Sequence, residues 1–238
     1  MLRLANPNRF MHWSAKLLPW CAVLSAILLG LGVYLALFVA PPDYQQGEAV
    51  RIMYVHVPAA WMATFVYALM AVSSAVALIW RHPLADVAAQ AAAPVGAGFT
   101  LLCLVSGSLW GEPMWGTWWV WDARLTSVLI LFFFYLGYIA LVNAFDDPSR
   151  GTRAGAILAL VGAVDLPIIK FSVDWWNTLH QQASITLEGS TIYPTMLWPL
   201  LVMALGFTIF FFTLWLLRIR SALMAAKLRA LRLLESEL

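Results

Sequence analysis

The chain has 238 residues, 63% of them hydrophobic and 11% charged, with a net charge of +2. A mean hydropathy of +0.82 lies far outside the soluble globular range, which excludes an ordinary soluble enzyme and describes a polytopic membrane protein. The small positive balance gives no support to nucleic-acid binding.

Six apolar stretches, roughly 17–39, 57–80, 92–110, 125–144, 154–173 and 195–217, are each close to the ~20 residues that a helix needs to cross the hydrocarbon core. The expected fold class is all-α: one polytopic domain over 1–238, a bundle of six transmembrane helices. Barrel strands would alternate apolar and polar residues, whereas Leu125–Val142 and Leu197–Leu217 are nearly continuous apolar runs. The first stretch follows Arg3, Arg9 and Lys16 in the manner of a secretory signal. Its apolar run is too long for one, however, and Ala40 leads into Pro41-Pro42 rather than a small-residue cleavage pattern.

Lys and Arg set the expected orientation. Eleven (Arg3, Arg9, Lys16, Arg81, Arg150, Arg153, Arg218, Arg220, Lys227, Arg229 and Arg232) fall on one side, and three (Arg51, Arg124 and Lys170) on the other. Both termini are therefore expected in the cytoplasm. The loops at about 40–56, 111–124 and 174–194 are expected outside, in the periplasm of a Gram-negative cell. The cytoplasmic turns are short: Arg81-His-Pro-Leu-Ala-Asp86 and Asp146-Asp-Pro-Ser-Arg-Gly151 carry the residues of tight hairpins. From about 218 to 238, Arg and Lys alternate with Leu and Ala, predicting an amphipathic helix that continues the sixth span. It would anchor on anionic lipid or dock a cytoplasmic partner. Cys21 and Cys103 lie within spans, at depths that disfavour a disulfide, and no C-x-x-C or C-x-x-C-H occurs. Both are read as small core residues.

The third loop region reads Trp110-Gly-Glu-Pro-Met-Trp-Gly-Thr-Trp-Trp-Val-Trp-Asp122-Ala-Arg124. Interfacial belts account for tryptophans at span ends, and Trp13, Trp20, Trp61, Trp80, Trp110, Trp198 and Trp215 are assigned to them. Trp115, Trp118, Trp119, Trp121, Trp175 and Trp176 remain, all in two outer loops. Trp115, Trp118 or Trp119, and Asp122 share a face at helical spacing. This predicts a short interfacial helix, bounded by Gly111-Glu112-Pro113, that runs on into the fourth span. Its use is either an aromatic platform for a flat apolar ligand or a lid that only anchors in the headgroups.

His12 and His82 lie near basic residues on the cytoplasmic side. His56, in Met53-Tyr-Val-His-Val-Pro58, and His180, in Val173-Asp-Trp-Trp-Asn-Thr-Leu-His-Gln181, lie on the tryptophan side. Neutral imidazole is a common metal ligand and a usual axial ligand of haem. Two imidazoles beside an aromatic floor suit a bis-histidine haem. Zinc would need further ligands, for which Glu112, Asp122 and Asp174 are available, but no metalloprotease-type motif occurs. Arg51 and Arg124, the outer arginines, are candidate partners for haem propionates; Arg124 could instead pair with Asp122 or snorkel. Asp165, in Ala163-Val-Asp-Leu-Pro167, is an acid within a span. Pro167 is expected to break the helix there, and Lys170 is a candidate partner for the acid. Glu112, Asp165, Trp175 and Trp176 are placed around the site as supporting residues.

Trp115-Gly-x-Trp118-Trp-x-Trp121-Asp-x-Arg124-Leu-Thr126 resembles the tryptophan-rich WWD signature of haem-handling membrane proteins. With six spans, His56 and His180, and no histidine deep in a span, nearly the whole chain is similar to the CcmC family of cytochrome c maturation. That resemblance implies a site for haem b at the outer face of the bacterial inner membrane, with axial ligands His56 and His180. It implies a platform of Trp115, Trp118, Trp119, Trp121 and Asp122 that holds haem and meets a periplasmic haem chaperone, CcmE. It also implies partners CcmA, CcmB and CcmD in an ABC-type complex, with ATP hydrolysed by a partner, since no G-x-x-x-x-G-K-[ST] loop is present. The chain is then a haem-transfer protein, not an enzyme. Two other classes stand beside this one: a membrane b-type cytochrome, which would want histidines inside its spans, and a transporter of amphiphiles gated by the tryptophans.

Overall fold

The computed structural model describes residues 6–236. In chain order the elements are α1 (Pro7–Tyr34, prolonged by a wide turn over Leu35–Val39), a tight turn over Glu48–Ile52, α2 (Met53–Trp80), α3 (Pro83–Trp115), α4 (Ala123–Val142), α5 (Pro148–Gly162), α6 (Asp165–Trp175), the two-residue strands β1 (Ile185–Thr186) and β2 (Gly189–Ser190), and α7 (Pro194–Ser236). Among the described residues six segments are long and apolar enough to cross a membrane, with α5 and α6 together forming the fifth. The expected all-α bundle of six spans is thus what the chain forms. Arg3, part of the basic N-terminal count, lies outside the described residues, as does the end of the basic tail beyond 236.

Local chemistry sets the ends. Asn6 caps α1 through Asn8 N–H at 2.9 Å, and Asp147 caps α5 through Ser149 N–H at 2.8 Å with Pro148 following. Both are side-chain acceptors for amides that a helix start leaves free. α2 closes on Arg81 in the left-handed conformation (φ 50°), and His82-Pro83 opens α3.

Three expectations are corrected. The helix predicted over 115–122 does not form: α3 runs on through Pro113 to Trp115, and Gly116 ends it at φ 70°, its N–H donating to Glu112 O at 2.9 Å. Residues 117–122 are irregular, because the left-handed glycine turns the chain and Asp122 then starts α4 as its N-cap. The first outer loop is shorter than 40–56, since α2 starts at Met53 and puts His56 inside its first turns. Asp165 does not pair with Lys170: among the described residues the one ion pair is Arg51–Glu48. The fifth span does break, but at Ala163–Val164. Pro167 sits in the first turn of α6, where a ring can be tolerated and where it would clash with a continuous helix four residues back.

α2 packs on α3, α1 on α7, and α4 on α5, α6 and α3. The core combines small residues with tyrosines. Ala59, Ala63, Ala89, Ala92 and Ala93 are buried, as are Tyr54, Tyr67, Tyr135 and Tyr138. Where no hydrophobic force favours helix pairing over lipid, small residues let helices approach and van der Waals contact holds them. Gly96 is filled by the Tyr135 ring and Gly162 by Tyr67 and Phe134. At the end of the bundle away from His56, Trp215 Nε1 donates to Ala88 O (2.8 Å) and Arg218 Nε to Ala91 O (3.1 Å). Arg220 donates to Met11 O (2.6 Å) and Ser14 Oγ (2.8 Å), tying α7 to α1. α7 then continues as one helix to Ser236, its last turns exposed.

Candidate functional site

His56 stands in the first turns of α2 and faces α3. Its Nδ1 lies 3.1 Å from Cys103 O and 3.2 Å from Ser106 Oγ. A carbonyl can only accept, and the Ser106 hydroxyl already donates to Leu102 O at 2.6 Å. Nδ1 therefore carries the hydrogen, and in the neutral ring Nε2 is left with its lone pair. No described residue bonds to Nε2. The ring is also held sterically. It meets the Trp110 ring edge-on at 5.6 Å and 75°, and it covers Gly107, where a methyl would stand 2.9 Å from Cε1. Trp110 is thus a wall of the histidine site, half-buried and donating from Nε1 to Gln46 at 2.9 Å, and not the belt residue expected from its position at a span end.

His180 lies in the segment between α6 and α7, within electrostatic range of His56. It repeats the same arrangement: Nδ1 is 2.9 Å from its neighbour's carbonyl, Gln181 O, so Nδ1–H donates and Nε2 has no partner among the described residues. Its main-chain N–H donates to Thr178 Oγ1 at 3.0 Å, and the Thr178 hydroxyl donates to Asp122 Oδ2. The other oxygen of Asp122 caps α4 by accepting from Leu125 N–H at 2.8 Å. Burial holds the His180 ring below its ordinary pKa of 6.5. Its bond to Gln181 and the charge of Asp122 oppose this, and Arg124 adds to it. NMR titration of the His180 ring is expected to give a midpoint under 6.5, and a midpoint at or above 6.5 would contradict the burial. The sign for stability follows. Between that depressed value and 6.5 the unfolded chain binds the proton more readily, so ligand-free stability rises with pH there and is lost as pH falls through the window.

Arg124 does not pair with Asp122. Its Nε donates to Ser172 Oγ at 2.8 Å, and a terminal nitrogen lies 3.4 Å from Lys170 O. Ser172 is buried and in turn donates to Ile169 O. Arg124 is close enough to act on His180. Arg51 is occupied differently: it bonds Glu48, Ala36 O and, at 3.2 Å, Ala40 O, so it clamps the first loop to the end of α1. Of the two candidate propionate partners, Arg124 is the one that acts on His180.

The tryptophans divide in two. Trp115 folds back over Gly111, and Trp119 is half-buried with its Nε1 buried and unpartnered among the described residues. Trp118 (58%) and Trp121 (77%) are exposed, and Trp121 meets Trp119 edge-on at 5.6 Å. Trp175 and Trp176 are also exposed and meet each other edge-on at 5.7 Å. A shallow cleft of about 330 Å³ runs between the two segments, lined by Val120, Trp121, Asp122, Asn177, Thr178 and Leu179. Glu112 is exposed on the last turn of α3. Asp165 is buried in the break of the fifth span, with Oδ2 unpartnered among the described residues. It is close enough to act on Tyr67 in the core; no hydrogen bond joins it to the histidines. Ser106, Gly107, Ser172 and Thr178, which the sequence reading did not single out, all touch or hold the site. Only the Thr178-x-His180 spacing offered a local sign, that of a hydroxyl turn.

Chemically, the arrangement offers two imidazole nitrogens, one buried indole donor, one guanidinium and an exposed aromatic surface. Among the described residues no three His, Cys, Asp or Glu side chains converge in the manner of a metal site.

A family model described as CcmC, heme exporter protein C, matches residues 1–234. Heme exporter protein C of Bradyrhizobium diazoefficiens is 56% identical over 99% of this chain and 90% of its own. That of Escherichia coli K12 is 48% identical over 95% of this chain and 92% of its own. That of Paracoccus denitrificans is 44% identical over 95% of each.

Proposed function

Since the chain belongs to the CcmC, heme exporter protein C, family, we propose that it binds haem b as cargo between His56 and His180 and passes it to a CcmE-type chaperone. The observation that carries this reading is the shared state of the two histidines. Each commits Nδ1–H to a backbone carbonyl, and each keeps Nε2 without a partner among the described residues. Such an outer bond fixes tautomer and ring direction and raises ligand basicity. Among the described residues no third ligating side chain converges with the two imidazoles, which suits a metal that arrives with most of its ligands, as in a porphyrin. That favours haem over zinc.

The other residues have distinct work in this reading. Arg124 and the Trp119 indole N–H offer charge and a hydrogen bond to propionates or to another polar edge. Trp118, Trp121, Trp175 and Trp176 present aromatic area to the flat face of the cargo and to the chaperone. Arg51 shapes the first outer loop, whose Gln46 accepts from the Trp110 indole. Imidazoles on both faces restrict iron chemistry, while an open cleft leaves an edge of the macrocycle within reach of an acceptor. We place these loops on the periplasmic side of the bacterial inner membrane, on the distribution of Lys and Arg. The ATPase CcmA, with CcmB and CcmD, would supply the work of release.

The test is the absorption spectrum of the protein purified with its haem. His56→Ala and His180→Ala are each expected to lower haem content and to replace a six-coordinate low-spin spectrum by a five-coordinate one. Unchanged content and spectrum in both variants would refute the ligation.

A further inference from the structure

We infer that Thr178 is a positioning residue, through which Asp122 of the tryptophan loop sets where the His180 imidazole stands. The inference rests on the reading of His180 as an iron ligand and goes beyond it. It gives Asp122 a role other than platform, and it brings in Thr178, a residue with no role in that reading.

The geometry is a chain of bonds across two separate loops. The segment holding His180 has little regular structure: α6 ends at Trp175, and the nearest strands are two residues long. His180 therefore lacks the helical frame that holds His56. It has the Thr178 turn instead. Thr178 Oγ1 accepts the His180 N–H at 3.0 Å, closing a hydroxyl turn over Leu179. A threonine hydroxyl rotates freely unless its own hydrogen is committed. Here it is committed to Asp122 Oδ2, 56 residues away in sequence. A bond from hydroxyl to carboxylate is among the stronger ones. Asp122 is itself fixed, because its other oxygen caps α4 through Leu125 N–H at 2.8 Å. The order of support runs from the rigid α4 to Asp122, to Thr178, to the His180 backbone and so to its ring. Trp121, 77% exposed, is the immediate neighbour of Asp122, so force applied to the tryptophan loop reaches His180 along the same bonds.

Two substitutions separate this role from simple support. Thr178→Val keeps the shape and removes both bonds, whereas Thr178→Ser keeps both. Asp122→Asn preserves the α4 cap, since asparagine caps as well as aspartate, but removes the carboxylate that takes the Thr178 hydrogen. The experiment uses the full chain in detergent with haem as the probe, and reads the six-coordinate fraction and the rate of haem loss, with and without added imidazole. Thr178→Val is expected to lower the six-coordinate fraction and to speed haem loss about tenfold, in line with losses seen when outer partners of a ligating histidine are removed. Asp122→Asn is expected to act in the same direction, Thr178→Ser to match the parent, and imidazole to restore the six-coordinate spectrum of Thr178→Val. If His180→Ala alters the spectrum and Thr178→Val does not, this inference is overturned and the ligation stands. If His180→Ala itself changes nothing, both fall. A Thr178→Ser protein as impaired as Thr178→Val would also overturn the inference, since the bonds would then not be the cause.

Discussion

Gly107→Val is expected to cost the protein most of its haem affinity while leaving the bundle folded. Gly107 lies on the face of α3 that meets His56, one residue after Ser106, which with Cys103 O holds the ring by Nδ1. Even a bare methyl at 107 would approach Cε1 to 2.9 Å and Nδ1 to 3.3 Å. Real carbons do not come that close, so the ring must yield. It cannot yield toward Trp110, whose edge packs at 5.6 Å, without parting from Cys103 O. Either movement turns the Nε2 lone pair away from its present axis. Displacing a ligating histidine by loss of its outer contacts weakens metal binding by about 10–100-fold, and valine, larger than the methyl, belongs at the upper end. The check is haem affinity of the purified variant by optical titration, with the thermal midpoint of the ligand-free protein measured alongside. A double variant decides whether the effect passes through His56. Gly107→Val with His56→Ala is expected to bind no worse than His56→Ala alone, because coupled residues are non-additive. Additive losses would mean that Gly107 acts elsewhere.

The same site shows what the residue string can and cannot reveal. His56, His180 and the surplus tryptophans were legible because they violate expectation: polar or bulky groups on one side of a membrane protein that the belt does not need. The six spans were legible from hydropathy, since a bilayer demands about 20 apolar residues at each crossing. The helix predicted over 115–122 failed for a reason also present in the sequence. Gly116 follows the last α3 turn and Asp122 precedes an apolar run, and these are stop and start signals. The i, i+3/i+4 spacing of the tryptophans does not override them, because spacing tests whether a helix would be amphipathic and not whether one forms. Depth alone puts Trp110 in the belt, while its actual neighbours, His56 and Gln46, belong to other segments. The Thr178-x-His180 spacing signals a turn but not what the turn is tied to, and Ser172 shows no sign in the local pattern. Their partners Asp122 and Arg124 lie 56 and 48 residues away, and only the fold joins them.

Gly96→Ala is expected to be strongly destabilising for a change of one methyl, and to disturb the site from a distance. Gly96 lies at the α3–α4 contact, where an added methyl would stand 2.3 Å from Cζ and from the hydroxyl oxygen of Tyr135. That ring has no room to move. It is fully buried, its hydroxyl donates to Ala63 O of α2 at 2.8 Å, and Tyr67 meets it edge-on at 4.9 Å. Overpacking costs about 1–3 kcal/mol, and losing the tyrosine bond adds about 1 kcal/mol. Gly98, two residues on, is the matched control: an added methyl there meets nothing within 4 Å. Gly98→Ala is expected to be neutral or to raise stability by up to about 1 kcal/mol, since alanine favours helix over glycine. The thermal midpoints of the two variants in detergent are therefore expected to move apart, with Gly96→Ala lower. Equal midpoints would show that the helices part at little cost. The consequence for the site follows from topology. The tryptophan loop spans from the end of α3 at Trp115 to the start of α4 at Asp122, so α3 and α4 are its two anchors. A methyl that wedges them apart at Gly96 separates those anchors and strains the bond from Asp122 to Thr178. Gly96→Ala is thus expected to lower the six-coordinate haem fraction even though it touches neither histidine, while Gly98→Ala leaves it unchanged.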